Sequence, residues 1–212
     1  MNKDLNEIMH NPVGPWAEAN ALYVEQSGLG RKLASADHEV VLFDVGLGAA
    51  ANALAAIHCA KSVALPLSII SFERDLRLLE FALDHSDQFL HFQGYQMALR
   101  EILDHGAWSH DNISWQLRHG DFLKLIATET YKPHLVFFYP YSPKVNQDMW
   151  TTACFSEIYK KCRTPKEGGT ALYTYSRATR IRSALLLAGF FVGAGNATGF
   201  KDETTEAVTD KL

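Results

Sequence analysis

The sequence is poor in the features that mark several large protein classes. It carries three cysteines in 212 residues, Cys59, Cys154 and Cys162, an odd number without framework spacing. That excludes a disulfide-stapled scaffold and predicts reduced thiols in a cytoplasmic protein. No run reaches the roughly 18 apolar residues that a spanning helix requires, so no membrane segment is expected. Met1 to His10 sets Asp4 and Glu7 among polar residues and has no apolar core, so no secretory leader is expected. The nine histidines form no H-x-x-x-H or H-E-x-x-H pattern, and no cysteine pair has zinc-ligand spacing, so no metal is expected. An excess of positive charge is missing too, since the formal net charge is -4.

What is present is a hydrophobic share of 47% in a chain long enough to fill a core, which excludes intrinsic disorder. The charge is unevenly spread. Lys124 to Arg182 holds ten Lys/Arg and four acids, leaving the rest of the chain strongly acidic. Such a stretch forms either a local basic face for a polyanion or a set of solvated helix faces. No repeat, low-complexity tract or interdomain linker occurs. Residues 1–38 are the less regular part and are expected to form an N-terminal appendage to a domain spanning 39–212.

The periodicity of that domain alternates strand and helix. Glu39 to Val45 is an apolar run ending in Asp44-Val45, as expected of a strand buried on both faces. Gly46-Leu47-Gly48 follows, and Ala49 to Lys61 is rich in the helix former alanine. Further strands are predicted at Ser68–Glu73, Ile113–His119, His134–Tyr139 and Thr170–Tyr175. Helices are predicted at Arg74–Leu83, Gly94–His105, Gln147–Cys162 and Arg177–Ala188, the last stopped by Gly189. Phe190–Gly193 and Thr204–Val208 are expected to pair as a terminal antiparallel hairpin. The pattern is that of an α/β, Rossmann-like, mostly parallel doubly wound sheet.

The candidate chemistry lies at the strand ends. Gly46 and Gly48 let backbone N–H groups approach a ligand at a helix N-terminus. Glu73 ends the next strand, where a carboxylate accepts from two ribose hydroxyls. With Ala51 the turn satisfies G-x-G-x-x-A, so a nicotinamide dinucleotide is one possible ligand and an NAD-dependent oxidoreductase one possible protein. Asp44 and Asp121-Phe122 favour S-adenosyl-L-methionine (SAM). Asp44 would meet a cationic amino group, Asp121 would accept from an adenine amino group, and Phe122 would pack on the ring. For each acid a helix N-cap is the plain structural alternative.

The segment Phe137-Phe138-Tyr139-Pro140-Tyr141-Ser142-Pro143-Lys144-Val145-Asn146-Gln147-Asp148-Met149-Trp150 resembles a fourth-strand motif of the MnmC-type tRNA-modifying methyltransferases. Gly168-Gly169-Thr170, Thr174-Tyr175-Ser176, Arg182 and Ala188-Gly189-Phe190 are similar to later parts of the same family. Gly46 to Asn52 and the tail Gly195, Gly199-Phe200-Lys201, Glu203 also resemble it. The likeness implies a class I SAM-dependent methyltransferase that acts on the 5-aminomethyl group of a wobble uridine in the tRNA anticodon. It also implies the stand-alone form without a flavin oxidase domain, with any flavin oxidoreductase partner on a separate chain. Asn52 and Tyr23 are then expected at the cofactor, with Glu18 beside Tyr23 at its methionine end. Tyr139, Pro140 and Tyr141 are expected at the acceptor, and Lys144, Arg177, Arg180 and Arg182 at RNA phosphates. Trp150 and Met149 are expected in the core. Where the family has an acid, this chain has Tyr139. A phenol with a pKa near 10 is a poor proton acceptor at neutral pH. The substitution signifies an altered acceptor, a base supplied from elsewhere, or a SAM-binding protein of low activity.

Overall fold

The computed structural model describes residues 14–210 apart from 62, 64, 65 and 198–201. The expected tail residues Gly199, Phe200 and Lys201, like Met1 to His10, lie outside the described residues.

The chain opens with α1 (Pro15–Glu18), a π-helical turn over Ala19–Glu25, and α2 (Leu29–Ser35). β1 (Val40–Val45), α3 (Ala51–Ala60), β2 (Leu67–Glu73), α4 (Arg77–Asp84) and α5 (Gln96–His105) follow. Then come β3 (Ala107–His110), β4 (Ile113–His119), α6 (Phe122–Thr128), β5 (Leu135–Phe138) and α7 (Thr152–Lys161). β6 (Ala171–Thr174), α8 (Thr179–Ala188), β7 (Phe191–Gly195) and β8 (Thr204–Val208) complete the fold. Among the described residues, eight strands form one sheet in the order β3-β4-β2-β1-β5-β6-β8-β7. β1 pairs in parallel with both β2 and β5. Two antiparallel hairpins end the sheet, β3–β4 on one side and β7–β8 on the other.

The period of two in β1 divides its side chains between two cores. Val40 and Leu42 pack under α2, α3 and the π turn, whereas Val41, Phe43 and Val45 pack under α6, α7 and α8. β5 repeats this with Leu135 and Phe137 on the first face and Val136 and Phe138 on the second. Each such side chain is fully or almost fully buried, a gain of roughly 1.5–3 kcal/mol apiece. Because both faces are covered, the loops at the carboxyl ends of the strands are left to form a site. The chain turns from β1 to the β2 side and returns to the β5 side, which opens a crevice at that switch point.

Three sequence expectations change. Residues 15–35 are helical on both sides of a left-handed turn at Gly28, and Leu22, Tyr23, Leu29 and Leu33 are fully buried in the first core. The expected helix Gln147–Cys162 is broken into a 3₁₀ turn over Gln147–Trp150 and α7. Thr151 is extended there and accepts from the Cys154 N–H at 3.2 Å, so it caps α7 and ends the turn. β3 is an additional strand. As an exposed edge its Ala-Trp-Ser-His carries no alternation of burial, so the periodicity rule has nothing to detect.

Candidate active site

The crevice is a cleft of about 440 Å³, within the usual range for small-molecule sites. Its floor is the turn after β1, and its walls are the ends of β2 and β4 and the loop after β5.

Gly46 is fixed by what lies over it. Its φ is +93°, and a Cβ built there would stand 2.6 Å from the Tyr139 carbonyl oxygen and 3.0 Å from Pro140 Cα. The loop after β5 therefore passes against bare backbone. The Gly46 N–H donates to Phe72 O at 3.0 Å, and the Tyr139 N–H donates to Val45 O at 2.8 Å. Glu73 ties the second wall to this floor. Its Oε2 accepts from the Gly48 N–H at 3.0 Å, and its Oε1 accepts from the N–H groups of Arg74 and Asp75 at 2.8 and 3.0 Å. Gly120 N–H donates to Glu73 O at 2.9 Å, which brings the end of β4 alongside.

Asp121 caps α6, accepting from the Lys124 N–H at 3.1 Å, and still lines the cleft. Phe122 is buried with its ring edge-on to Phe72 and also faces the cleft. Tyr139, Pro140, Tyr141 and Asn146 line the opposite side. This loop is braced from below. The Trp150 indole donates to Tyr141 O at 2.7 Å, and the Tyr175 hydroxyl donates to Pro140 O at 3.1 Å. Trp150 is a core residue as expected, packed edge-on to Phe138, and Met149 is partly buried against the same core while also lining the cleft. Asn52 lies in a narrow adjoining pocket with Glu18, Leu47 and Ala51. Gly46, Gly48 and Tyr139 border both spaces.

Three expected site residues stand elsewhere. Asp44 points into the first core and is fully buried, because position 44 shares its face with Leu42. It accepts from the Ser71 hydroxyl at 2.8 Å, and Ser71 accepts from the Trp115 indole at 2.9 Å. Its Oδ1 has no hydrogen-bond partner among the described residues. Burial pushes its pKa up to about 7, against the lowering influence of Ser71. Tyr23 is also fully buried, its ring against Phe137 and edge-on to Tyr139, with its hydroxyl donating to Phe138 O at 3.4 Å. Tyr23 is thus a core residue rather than a cofactor contact, and burial raises its pKa well above the ordinary value. Arg182 is held by Thr205 Oγ1 at 3.0 Å, Thr204 O at 2.8 Å and Glu203 at 3.1 Å, so it braces the terminal hairpin. Arg177 is exposed and meets Asp202 at 3.3 Å, while Lys144 and Arg180 are exposed.

Arg74, Asp75 and Leu78 are lining residues that the sequence reading missed. The signal for Arg74 and Asp75 was their position directly after a strand-ending acid. Glu18, expected only beside Tyr23, instead accepts from the Tyr139 hydroxyl at 2.9 Å.

A family model described as S-adenosyl-L-methionine-dependent methyltransferase matches residues 92–210. The chain belongs to this family. The methyltransferase therefore uses SAM, and the nicotinamide alternative falls away. The cleft fits that cofactor: Glu73 and Asp121 offer carboxylate acceptors to hydroxyl and amino donors, and Phe122, Leu78 and Met149 offer apolar surface. The methyltransferase is 29% identical over 208 residues to the uncharacterised protein MJ0670 of Methanocaldococcus jannaschii, covering 97% of this chain and 55% of that one. It is 27% identical over 214 residues to the tRNA 5-methylaminomethyl-2-thiouridine biosynthesis bifunctional protein MnmC of Pseudomonas fluorescens, covering 92% of this chain and 29% of that one. The chain thus spans about half or less of these curated relatives. The crystal structure of MNMC2 from Aquifex aeolicus shares its fold at a TM-score of 0.76 and 23% identity, over 96% of this chain and 64% of that one. No helix among the described residues is long and apolar enough to cross a membrane.

Proposed function

We propose that this methyltransferase methylates the 5-aminomethyl nitrogen of a tRNA wobble uridine. The observation that carries the reading is the convergence of the Tyr139-Pro140-Tyr141 loop, Glu73 and Asp121-Phe122 on one cleft. The Pseudomonas relative, a tRNA 5-methylaminomethyl-2-thiouridine biosynthesis protein, supports the choice of acceptor.

In this reading residues 39–212 form the catalytic unit behind the segment 1–38. Gly46, Gly48 and Asn52 hold the methionine end of the cofactor. Glu73 accepts from the ribose hydroxyls, Asp121 accepts from the adenine amino group, and Phe122 packs on the ring. When bound, SAM supplies a methyl group on a positively charged sulfur, which a neutral amine attacks. Tyr139, Pro140 and Tyr141 face that amine. Tyr141 stacks on the extruded base, and the flat aromatic face suits a pyrimidine. Lys144, Arg177 and Arg180 meet phosphates of the anticodon arm.

The test is incubation of the purified protein and SAM with tRNA carrying 5-aminomethyl-2-thiouridine, followed by mass spectrometry of the nucleosides. One added methyl on that nucleoside is expected. Methylation confined to another nucleoside, or none with SAM bound, refutes the assignment.

A further inference from the structure

The loop after β5 has no carboxylate of its own beside Pro140, yet one reaches it from the opposite end of the chain. Glu18 is only 5% exposed and stands at the N-terminal edge of the π turn. Short π-helical segments are rare and concentrate at functional sites. The Tyr139 hydroxyl donates to Glu18 Oε2 at 2.9 Å across 121 positions of sequence. The phenol ring is set between Tyr23 and Tyr175, with ring centres 5.7 and 5.0 Å away. Tyr139 borders both the main cleft and the narrow pocket, whereas Glu18 borders only the narrow one. The phenol therefore stands between the carboxylate and the space open to an acceptor.

An aliphatic ammonium with a pKa near 10.4 is neutral to only about one part in 10³ at pH 7, so a methyl acceptor of that kind needs its proton removed. Resting on the N-methylation reading, we propose that Glu18 receives this proton through the Tyr139 phenol. The ammonium N–H bond breaks and its proton passes to Tyr139 Oη. The phenolic proton passes to Glu18 Oε2. Nitrogen keeps the electron pair, Tyr139 ends neutral, and Glu18 ends as the neutral acid that later releases its proton to water. A phenolic oxygen both donates and accepts, so one tyrosine suffices. Tyr139 is the residue that touches the acceptor, and Glu18 acts through it.

The test compares wild type, Glu18→Gln, Tyr139→Phe and the double variant Glu18→Gln with Tyr139→Asp, all checked for unchanged circular dichroism. With tRNA carrying 5-aminomethyl-2-thiouridine, each single variant is expected to lose about 10²-fold or more in kcat at pH 7. The loss should shrink as pH rises towards the ammonium pKa, where the acceptor deprotonates unaided. The double variant restores a carboxylate next to Pro140 and is expected to recover to within about tenfold of wild type. Titration calorimetry with S-adenosylhomocysteine should give the same affinity in wild type and Glu18→Gln. An affinity loss as large as the rate loss would make Glu18 a cofactor-binding residue and overturn the proposal, as would a rate loss constant across pH. A separate arm needs no turnover: the ¹³Cζ resonance of Tyr139 should follow a carboxylate titration in wild type and lose that step in Glu18→Gln. An identical titration in both proteins overturns the pairing. If wild type methylates no such tRNA, the acceptor reading fails. The proposal is then judged on 5-aminomethyluridine added to the S-adenosylhomocysteine complex. A shift of the Tyr139 resonance in wild type supports it, and no shift overturns it.

Discussion

Replacing Asp44 with asparagine should alter how stability depends on pH. The carboxyl is fully buried with one oxygen unpartnered among the described residues, and its pKa is raised from the ordinary carboxylate range to about 7. In the unfolded chain it titrates near 3.9. The folded state thus binds this proton more tightly, and stability falls as pH rises between the two values. The full difference is about 4 kcal/mol at 1.36 kcal/mol per unit, of which about 3 kcal/mol falls between pH 5 and pH 8. Asparagine carries no such charge. The advantage of wild type over Asp44→Asn should therefore shrink, and reverse, by about 5–10 °C in Tm between pH 5 and pH 8, at about 2–4 °C per kcal/mol for a chain of this size. Differential scanning calorimetry of both proteins at half-unit pH steps measures this. Parallel Tm-against-pH curves would refute the argument, because they would mean that Asp44 is ionised, and solvated or paired, in the folded state.

Three further outcomes follow from the cleft. Glu73→Gln weakens the hold on the Gly48 N–H and removes a charged acceptor, so S-adenosylhomocysteine should bind about 10- to 100-fold less tightly by calorimetry; unchanged affinity would remove Glu73 from the cofactor site. Gly46→Ala places a methyl 2.6 Å from Tyr139 O at a positive φ, so urea unfolding should show a loss of about 2–3 kcal/mol or more; a neutral effect would contradict the close crossing of the two loops. Lys144→Ala and Arg180→Ala should each weaken tRNA binding and lower the slope of log K against log salt by about one, whereas Arg182→Ala should lower thermal stability more than tRNA affinity; equal slopes in all four proteins would remove these side chains from the RNA interface.

Much of the fold is legible in the chain because each parallel unit is punctuated locally. The apolar run to Val45 followed by Gly46-Leu47-Gly48, and the strand to His119 followed by Gly120-Asp121-Phe122, locate cleft residues without long-range knowledge. Asp44 defeated the same reasoning because proximity to a glycine turn does not decide which way a strand residue points. The alternation through Leu42 does, and it turns the acid inward. Tyr23 and Glu18 sit five residues apart, yet one fills the core with its ring and the other accepts a hydrogen bond from the Tyr139 hydroxyl. That outcome depends on a contact across 121 positions, which no local pattern encodes. Arg182 looked like its basic neighbours, and only the fold of the terminal hairpin around it shows that its donors are spent on Thr204, Thr205 and Glu203.

The π-helical turn over Ala19–Glu25 has an evolutionary corollary. A π turn amounts to one extra residue wound into an α-helix. Deleting a single codon within it would regularise the helix and swing everything upstream by about 100° around its axis, while the anchored side downstream, with Leu29 and Leu33, keeps its seat. The length of this segment is thus a dial on where the Glu18 side chain is aimed. Insertions and deletions there, more than substitutions, are where related chains are expected to diverge in what they accept.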